Sequence, residues 1–376
     1  MEIKNLGEKD FEKIMRFLED VYGHSFNSFC IRYPHVWKKE KLDYQNILVI
    51  EENENILSLV RIFPLTLIQK DLKIKLGGIG AVSTKYEERG KGYMSTLMNY
   101  AIKKMEDEGY PLSILWGDRH RYKNFGYEIG GKLVLLNITK RGLEKKKVKS
   151  VEAKRYLGEK EILNKIIEVY NEKRYRIERD YDYFQLIYTK FGTSLYYSED
   201  NGKFGYVVAG STESSGLEIR VYEVGGDEYL IVGILKYLCD RFGKNSFILE
   251  YGSFEDIPDI IVDCSSYWRI EPCGMIKIID LKKTIETYKS VIEDKLSEED
   301  EVLFEIEGKS RVGIRKEKGK LKFIEESENI VKLNEEEMVR LFFDFSGKGI
   351  KIDGKAGKLV EKFLPFDLFF PLIDHI

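Results

Sequence analysis

The chain is poor in residues that bind metals or build disulfide frameworks: among 376 residues there are 4 cysteines and 4 histidines. Cys30, Cys239, Cys264 and Cys273 form no Cys-x-x-Cys pair and share no metal-ligand spacing with the histidines. No metal is therefore expected, and buried free thiols in a reducing cytosol are. No apolar run reaches the ~18 residues of a membrane-spanning helix. The first residues, Met-Glu-Ile-Lys-Asn-Leu, lack the apolar core of a signal peptide, so a cytoplasmic protein is expected. An excess of one charge is also missing. Lys and Arg number 61 against 64 Asp and Glu, a net of −3, which gives no global field for nucleic acid or an anionic membrane. What is plentiful is apolar and aromatic: 43% hydrophobic residues, with 24 Tyr and 21 Phe, are enough for real cores. The length calls for two or three domains.

The most informative stretch is Gly80 to Tyr93, where a short apolar run stops at a turn rich in charge and glycine. An amphipathic helix then begins near Gly92 and runs towards Glu108. Gly90 and Gly92, at spacing two, allow a tight turn and close approach of a ligand to the main chain. The N–H groups and dipole at the helix start favour an anion, and Arg89 and Lys91 add full charges. The stretch reads as a pyrophosphate cradle joined to a strand end. It is not a nucleotide P-loop, because Tyr93 and Met94 follow the second glycine where Lys-Ser/Thr is required. It also lacks the third glycine of the dinucleotide fingerprint. A glycine-containing strand-to-helix turn with no ligand is the plain structural alternative.

A second segment, Pro111 to Tyr127, holds a buried strand at Leu112 to Trp116, then a short turn or helix carrying Tyr122 before Phe125, Gly126 and Tyr127. Arg-Gly-x-Gly after a strand resembles the acetyl-CoA loop of the GNAT N-acetyltransferases. Tyr-x-x-x-Gly-Tyr, one helix and one strand later, is similar to the segment that carries their general acid.

The rest of the chain reads as three blocks. In residues 1–145 a strand and a helix precede strand-like runs at Ile47–Glu51, Ile56–Leu67 and Leu72–Val82, with Pro64 marking an interruption or an edge. The loop, its helix, the strand at Leu112 and a last strand near Lys132–Ile138 complete the order of one GNAT domain. Lys145 to Lys149 is a solvated linker. Residues 146–287 repeat strands around a helix at Asp227–Phe242, but Gly225 and Gly226 there have no basic neighbour, and acidic side chains at that helix start would repel pyrophosphate. This block reads as a GNAT-like repeat that has lost acetyl-CoA binding. Residues 288–376 hold short strands, then Asn334 as an N-cap with acidic Glu337 at its third position. They resemble a small sterol-carrier-protein-like domain. The tail, Phe363 to Ile376, is too apolar to remain free at a chain end and must dock.

Two GNAT-like blocks, a sterol-carrier-like block and an apolar tail resemble the enhanced-intracellular-survival (Eis) family of bacterial acetyltransferases. The resemblance implies an α+β fold of two tandem GNAT-like domains with mixed, mostly antiparallel sheets, plus a small sterol-carrier-like domain. It implies acetyl-CoA as cosubstrate, a multi-amine acceptor and a homo-oligomer, commonly a hexamer. Carried over by motif, the general acid falls on Tyr122, and the base on the C-terminal carboxylate of Ile376. Cofactor contacts fall on Gly80, Ala81 and Val82, on Glu88, Arg89, Gly90, Lys91, Gly92 and Tyr93, and on Gly117 and Asp118. Glu87 stands where GNAT loops often begin with Gln or Arg, and the terminal residue is aliphatic rather than aromatic.

Elementary chemistry fits those roles. An amine attacks a thioester only as the free base, so an ammonium with a pKa near ~10 must first lose its proton. A carboxylate in an apolar, partly dry site gains basicity, and that of Ile376 serves if Leu372 and Ile373 anchor it. The backbone N–H of Val82 is the candidate donor to the oxyanion. The phenol of Tyr122, with a pKa of about 10, can protonate a leaving thiolate whose thiol has a pKa of about 8.5. Structural alternatives stand beside these: Tyr122 as a packing tyrosine, the tail as a clasp, Asp118 as a helix cap, His120 as a surface residue, and Asp374 and His375 pointing apart. The predicted function is acetyl-CoA-dependent N-acetylation of a primary amine on an aminoglycoside-like molecule, a small polyamine or a lysine side chain. The alternative is a non-catalytic acyl-CoA- or lipid-binding protein.

Overall fold

The structure is a computed structural model and describes residues 2–25, 27–211 and 219–375. The fold is α+β, as expected: helices flank mostly antiparallel sheets that each contain a parallel pair. Two compact units divide the chain. The first takes Met1–Ile14, Asp43–Lys132 and Pro272–Phe369; the second takes Met15–Leu42, Leu133–Glu271 and Phe370–Ile376.

The first unit's main sheet is built from β1 (Ile3–Asn5), β2 (Ile47–Glu52), β3 (Asn55–Gln69), β4 (Leu72–Thr84), β5 (Leu112–Leu115), β6 (Glu128–Gly130) and β7 (Gly274–Ile278). They stand in the order β1-β2-β3-β4-β5-β7-β6. β1 to β4 pair antiparallel, β4 and β5 parallel, and β7 antiparallel to both β5 and β6. A parallel pair needs a crossover, and α1 (Tyr93–Asp107) supplies it. Its buried face, Leu97, Met98, Ala101 and Met105, follows helical spacing and joins the core with Leu48, Val60 and Ile62. The approach to β4 is close: a Cβ at Gly77 would lie 2.2 Å from Met105 Sδ. A smaller sheet in the same unit runs Lys320–Ile324, Ser310–Glu317, Glu301–Ile306, Ile330–Leu333. The helix Glu335–Phe342 follows it with the expected capping box. Asn334 Oδ1 accepts from the Glu337 N–H at 2.9 Å, and the Asn334 N–H donates to Glu337 at 3.2 Å.

Two features differ from the sequence reading. β3 runs without interruption through Pro64, which stands opposite Gly77. The strand expected to close the first domain, found at Leu133–Thr139, lies in the second unit's sheet, and β7 takes the position between β5 and β6. The expected segments 1–145, 146–287 and 288–376 describe order along the chain, whereas these two strands cross the first two of them. Alternation of apolar residues identifies a strand but carries no information on its partner.

The second unit's sheet runs Ser265–Glu271, Leu133–Thr139, Ser246–Tyr251, Ile219–Gly226, Lys203–Ser211, Thr193–Asp200, Lys154–Arg155. Ile219–Gly226 and Ser246–Tyr251 are parallel and joined by the helix Glu228–Phe242, the same strand–helix–strand motif as β4–α1–β5. Past its paired residues the strand Ile219–Gly226 helps hold the chain's tail. Glu223 lies 2.9 Å from Arg179 Nη2, and Arg179 grips Asp374 with Nε at 3.0 Å and Nη2 at 2.6 Å. Tyr183 donates to Asp374 at 2.9 Å, Tyr188 and Tyr206 donate to Glu223, and Lys190 donates to the carbonyls of Ile373 and His375. The apolar tail therefore docks, through Phe370, Ile373 and a fully buried Asp374.

Candidate active site

The site begins with a flaw in the sheet. Between the pairs Leu59–Ser83 and Arg61–Gly80, one residue of β3, Val60, faces two of β4, Ala81 and Val82. Ala81 has φ +53°, unusual for a residue with a side chain. Such a bulge bends the strand and re-aims its neighbours. The parallel ladder of β4 and β5 ends at Ile79–Leu115, while β4 continues to Thr84. The two strands are thus parted where Gly80, Ala81 and Val82 lie. Below the split they are tied: Ser113 Oγ donates to the Gly77 carbonyl at 2.6 Å and accepts from buried Tyr127 at 2.7 Å.

After β4 the chain makes a short 3-10 turn, Tyr86–Glu88, and then reaches Arg89, Gly90, Lys91 and Gly92. Gly90 has φ +82° and Gly92 φ +84°, with open space where a Cβ would stand. No side chain caps α1 at Gly92, so its first N–H groups have no side-chain acceptor at the cap. Arg89 is exposed, its guanidinium 5.3 Å from the Tyr86 ring centre. Lys91 pairs with Glu88 at 2.9 Å, and that hydrogen bond raises its ammonium pKa. Tyr93 turns inward and is buried in the core. The helix Glu228–Phe242 has the opposite start. Asp227 accepts from the N–H groups of Tyr229 at 3.0 Å and Leu230 at 3.1 Å, so its own carboxylate occupies the place of an anion.

Tyr122 lies on α2 (Arg119–Lys123), one short turn beyond β5. It is 6% exposed. Gly117, with φ +151°, leaves room for its ring: a Cβ there would come within 2.6 Å of ring carbon Cε2. Asp118 caps α2 by accepting the Arg121 N–H at 3.0 Å, which is the structural alternative considered for it. His120 is exposed. Burial raises the Tyr122 phenol above its usual pKa, and the adjacent Arg121, by charge and hydrogen bond, opposes the rise. The phenol is therefore a proton donor at neutral pH, with a cation beside the phenolate it would become.

Sequence reading missed one part of this arrangement. Glu128 on β6 is buried, accepts Arg119 Nε at 2.6 Å and the Ile129 N–H at 2.7 Å, and so ties α2 to the sheet. Burial alone would raise its carboxyl pKa; the Arg119 fork and the Ile129 N–H outweigh that and hold it below the usual range. The available signal was a carboxylate standing between Tyr127 and Ile129 in an apolar strand.

Gly80, Ala81, Val82, the loop Glu88–Tyr93, Gly117 and Tyr122 all fall in the first unit. Ile376 lies outside the described residues. Among those residues no group of three His, Cys, Asp or Glu side chains could hold a metal, and no helix is long and apolar enough to cross a membrane.

Residues 2–130 match the family model of the acetyltransferase (GNAT) domain. Several solved structures are similar over nearly their full length. A conserved protein of unknown function from Enterococcus faecalis V583, a probable N-acyltransferase, is 17% identical with a TM-score of 0.72, covering 98% of this chain and 97% of its own. A GCN5-related N-acetyltransferase from Anabaena variabilis ATCC 29413 is 16% identical with a TM-score of 0.72, covering 100% of each chain. Eis1 from Mycobacterium abscessus is 10% identical with a TM-score of 0.64, covering 96% of each. No curated protein matches the chain. At these identities the likeness is one of fold. The domain match makes the chain an enzyme of the N-acetyltransferase class.

Proposed function

We propose that the enzyme carries the acetyl group of acetyl-CoA directly to a primary amine, with Tyr122 as general acid. The observation that carries this reading is a buried, protonated phenol one short turn beyond the split of β4 and β5. The amine nitrogen bonds to the acetyl carbon as the carbon–sulfur bond breaks, and the Tyr122 proton goes to the CoA sulfur. Arg121 then faces a transient phenolate. The surplus amine proton goes to a base, in this proposal the α-carboxylate of Ile376. Gly80, Ala81 and Val82 serve the acyl end, with the Val82 N–H as oxyanion donor. Gly90, Gly92, Arg89, Lys91 and the uncapped start of α1 suit a pyrophosphate. Glu88 keeps Lys91 in reach, Gly117 seats the Tyr122 ring, and Asp118 acts through its cap.

The acceptor class is an aminoglycoside-like molecule, a small polyamine or a lysine side chain. The Eis type, the sterol-carrier character of residues 288–376, a cytoplasmic location and a homo-oligomer, hexameric in the family, belong to the same reading. The test is mass-spectrometric detection of acetylated amine from a panel of these acceptors, with the native chain beside one extended past Ile376. The expected result is a product from the native chain and little from the extended one. Acetyl-CoA binding without product on any amine would favour a binding protein instead.

A further inference from the structure

Lys277, on β7, is a buried cation that the proposed chemistry does not use; its side chain is 4% exposed. Its ammonium donates to one carboxylate oxygen of Glu335, the first residue of the helix Glu335–Phe342, and Lys309 reaches the other oxygen at 2.6 Å. Burial lowers the Lys277 ammonium pKa, and Glu335 opposes the shift. Stability alone does not call for such a pair, because apolar side chains of similar volume often serve as well or better. What rests on it is Gly126. A Cβ built there, at φ +77°, would stand 2.7 Å from Glu335 Cδ and 2.7 Å from Lys277 Nζ, so the main chain lies directly against both groups. Gly126 belongs to the turn that closes α2. Its N–H donates to the Lys123 carbonyl at 2.9 Å, and the N–H groups of Phe125 and Tyr127 donate to the Tyr122 carbonyl at 3.0 and 3.3 Å. Lys123 also pairs with Glu336 at 3.2 Å. Beyond β6, the Gly131 N–H donates to the carbonyl of Phe343, at the far end of the same helix, at 2.9 Å.

We infer that Lys277 and Glu335 are positioning residues for Tyr122: their ion pair supports the turn at Gly126 and through it sets where α2 holds the phenol. The inference rests on the proposed general acid. A helix of 5 residues, such as α2, does not hold its shape by its own hydrogen bonds and takes it from its anchors. The start of α2 is anchored through Arg119 and Glu128. Its end is anchored through Gly126 on the Lys277–Glu335 pair and through Lys123 on Glu336. The helix Glu335–Phe342 is thus a brace laid along β6, tied to the acid-bearing segment before that strand and to Gly131 after it. This gives the last block of the chain a part in the reaction that needs no ligand of its own.

The test is a double-mutant cycle on the full chain, with steady-state kinetics and thermal melts on each member. Lys277→Met removes a buried cation and leaves Glu335 paired with Lys309, so the variant is expected to melt no lower than the native chain. Its kcat is expected to fall about tenfold with the acetyl-CoA KM unchanged, a part of the ~100-fold that a 1 Å misplacement costs. Glu335→Asp keeps the charge and withdraws the carboxylate from Gly126, and the same split between kcat and KM is expected. A purely structural role would move the melting temperature and not this split. In a Tyr122→Phe background Lys277→Met should cost nothing more, because there is no phenol left to place. Native kcat in both Lys277→Met and Glu335→Asp would overturn the inference, as would a tenfold loss that persists in full beside Tyr122→Phe. Native turnover by Tyr122→Phe alone would overturn the general-acid reading and this inference together, a failure visible in that variant whatever Lys277→Met does.

Discussion

The ring of Tyr122 lies where a side chain on Gly117 would be, with 2.6 Å between ring carbon Cε2 and a Cβ built on the glycine. Gly117→Ala must therefore move the ring, and its φ of +151° is itself one that side chains rarely adopt. In the proposed role of Tyr122 as general acid, a displacement near 1 Å costs about 100-fold in rate. Steady-state kinetics should show kcat lowered by about that factor with the KM for acetyl-CoA little changed.

The loop glycines differ from Gly77. Gly90 and Gly92 have space for a Cβ but positive φ, so alanine there costs about 1 kcal/mol of backbone strain, raising the acetyl-CoA Kd about fivefold. Gly77→Ala collides with Met105 and should instead lower the unfolding midpoint. Calorimetric titration and thermal melts separate the two effects.

Arg119 and Glu128 form an asymmetric pair, with the arginine side chain 44% exposed and the glutamate 1%. Losing the exposed partner leaves a buried carboxylate, whereas losing the buried one leaves a solvated cation. Arg119→Ala should thus cost about 2 kcal/mol and Glu128→Gln distinctly less, measured by urea unfolding.

The tail gives a harsher version. Asp374→Ala removes one of the two carboxylates around the fully buried Arg179. The expected loss is about 3–5 kcal/mol, read from the same unfolding curves.

Stability should also fall as pH rises towards 8. Burial pushes the Glu250 carboxyl up to about 8 from a usual 4.5, and Arg220 only partly opposes it. Below 4.5 both folded and unfolded states hold the proton; between 4.5 and 8 only the folded state does, so each pH step favours unfolding. His375, lowered to about 4 from 6.5 by burial and by Lys190, contributes the opposite slope below 6.5. The Glu250 decline should therefore stand out between pH 6.5 and 8, amounting to about 2 kcal/mol, and should flatten in Glu250→Gln.

The sequence carried the local features of the first unit well. The glycine turn, the helix Tyr93–Asp107, the strand at Leu112 and the capping box at Asn334 are all written in nearest-neighbour chemistry. What it did not carry is pairing over long separations. Nothing in Leu133 to Thr139 says that its neighbours are Ser246–Tyr251 and Ser265–Glu271, or that β7 enters the first sheet. Arg179 and Asp374 are 195 residues apart, and a lone arginine beside a lone aspartate in sequence gives no sign of such a partner. At the site, the place of Tyr122 on a short turn after the strand was legible from its motif, but the bulge at Ala81, the seat at Gly117 and the Glu128 tie were not, because each depends on a neighbour brought in by folding.

Tyr122 is proposed to donate the proton that lets CoA leave. The most direct test is the rate of CoA thiol release with a turned-over amine, for the native chain and Tyr122→Phe, alongside acetyl-CoA binding to each. In Tyr122→Phe, kcat is expected to fall by about 100- to 10,000-fold with the acetyl-CoA Kd and the melting temperature nearly unchanged. A Tyr122→Phe enzyme that binds acetyl-CoA normally and releases CoA at the native rate would contradict it and leave Tyr122 a packing residue.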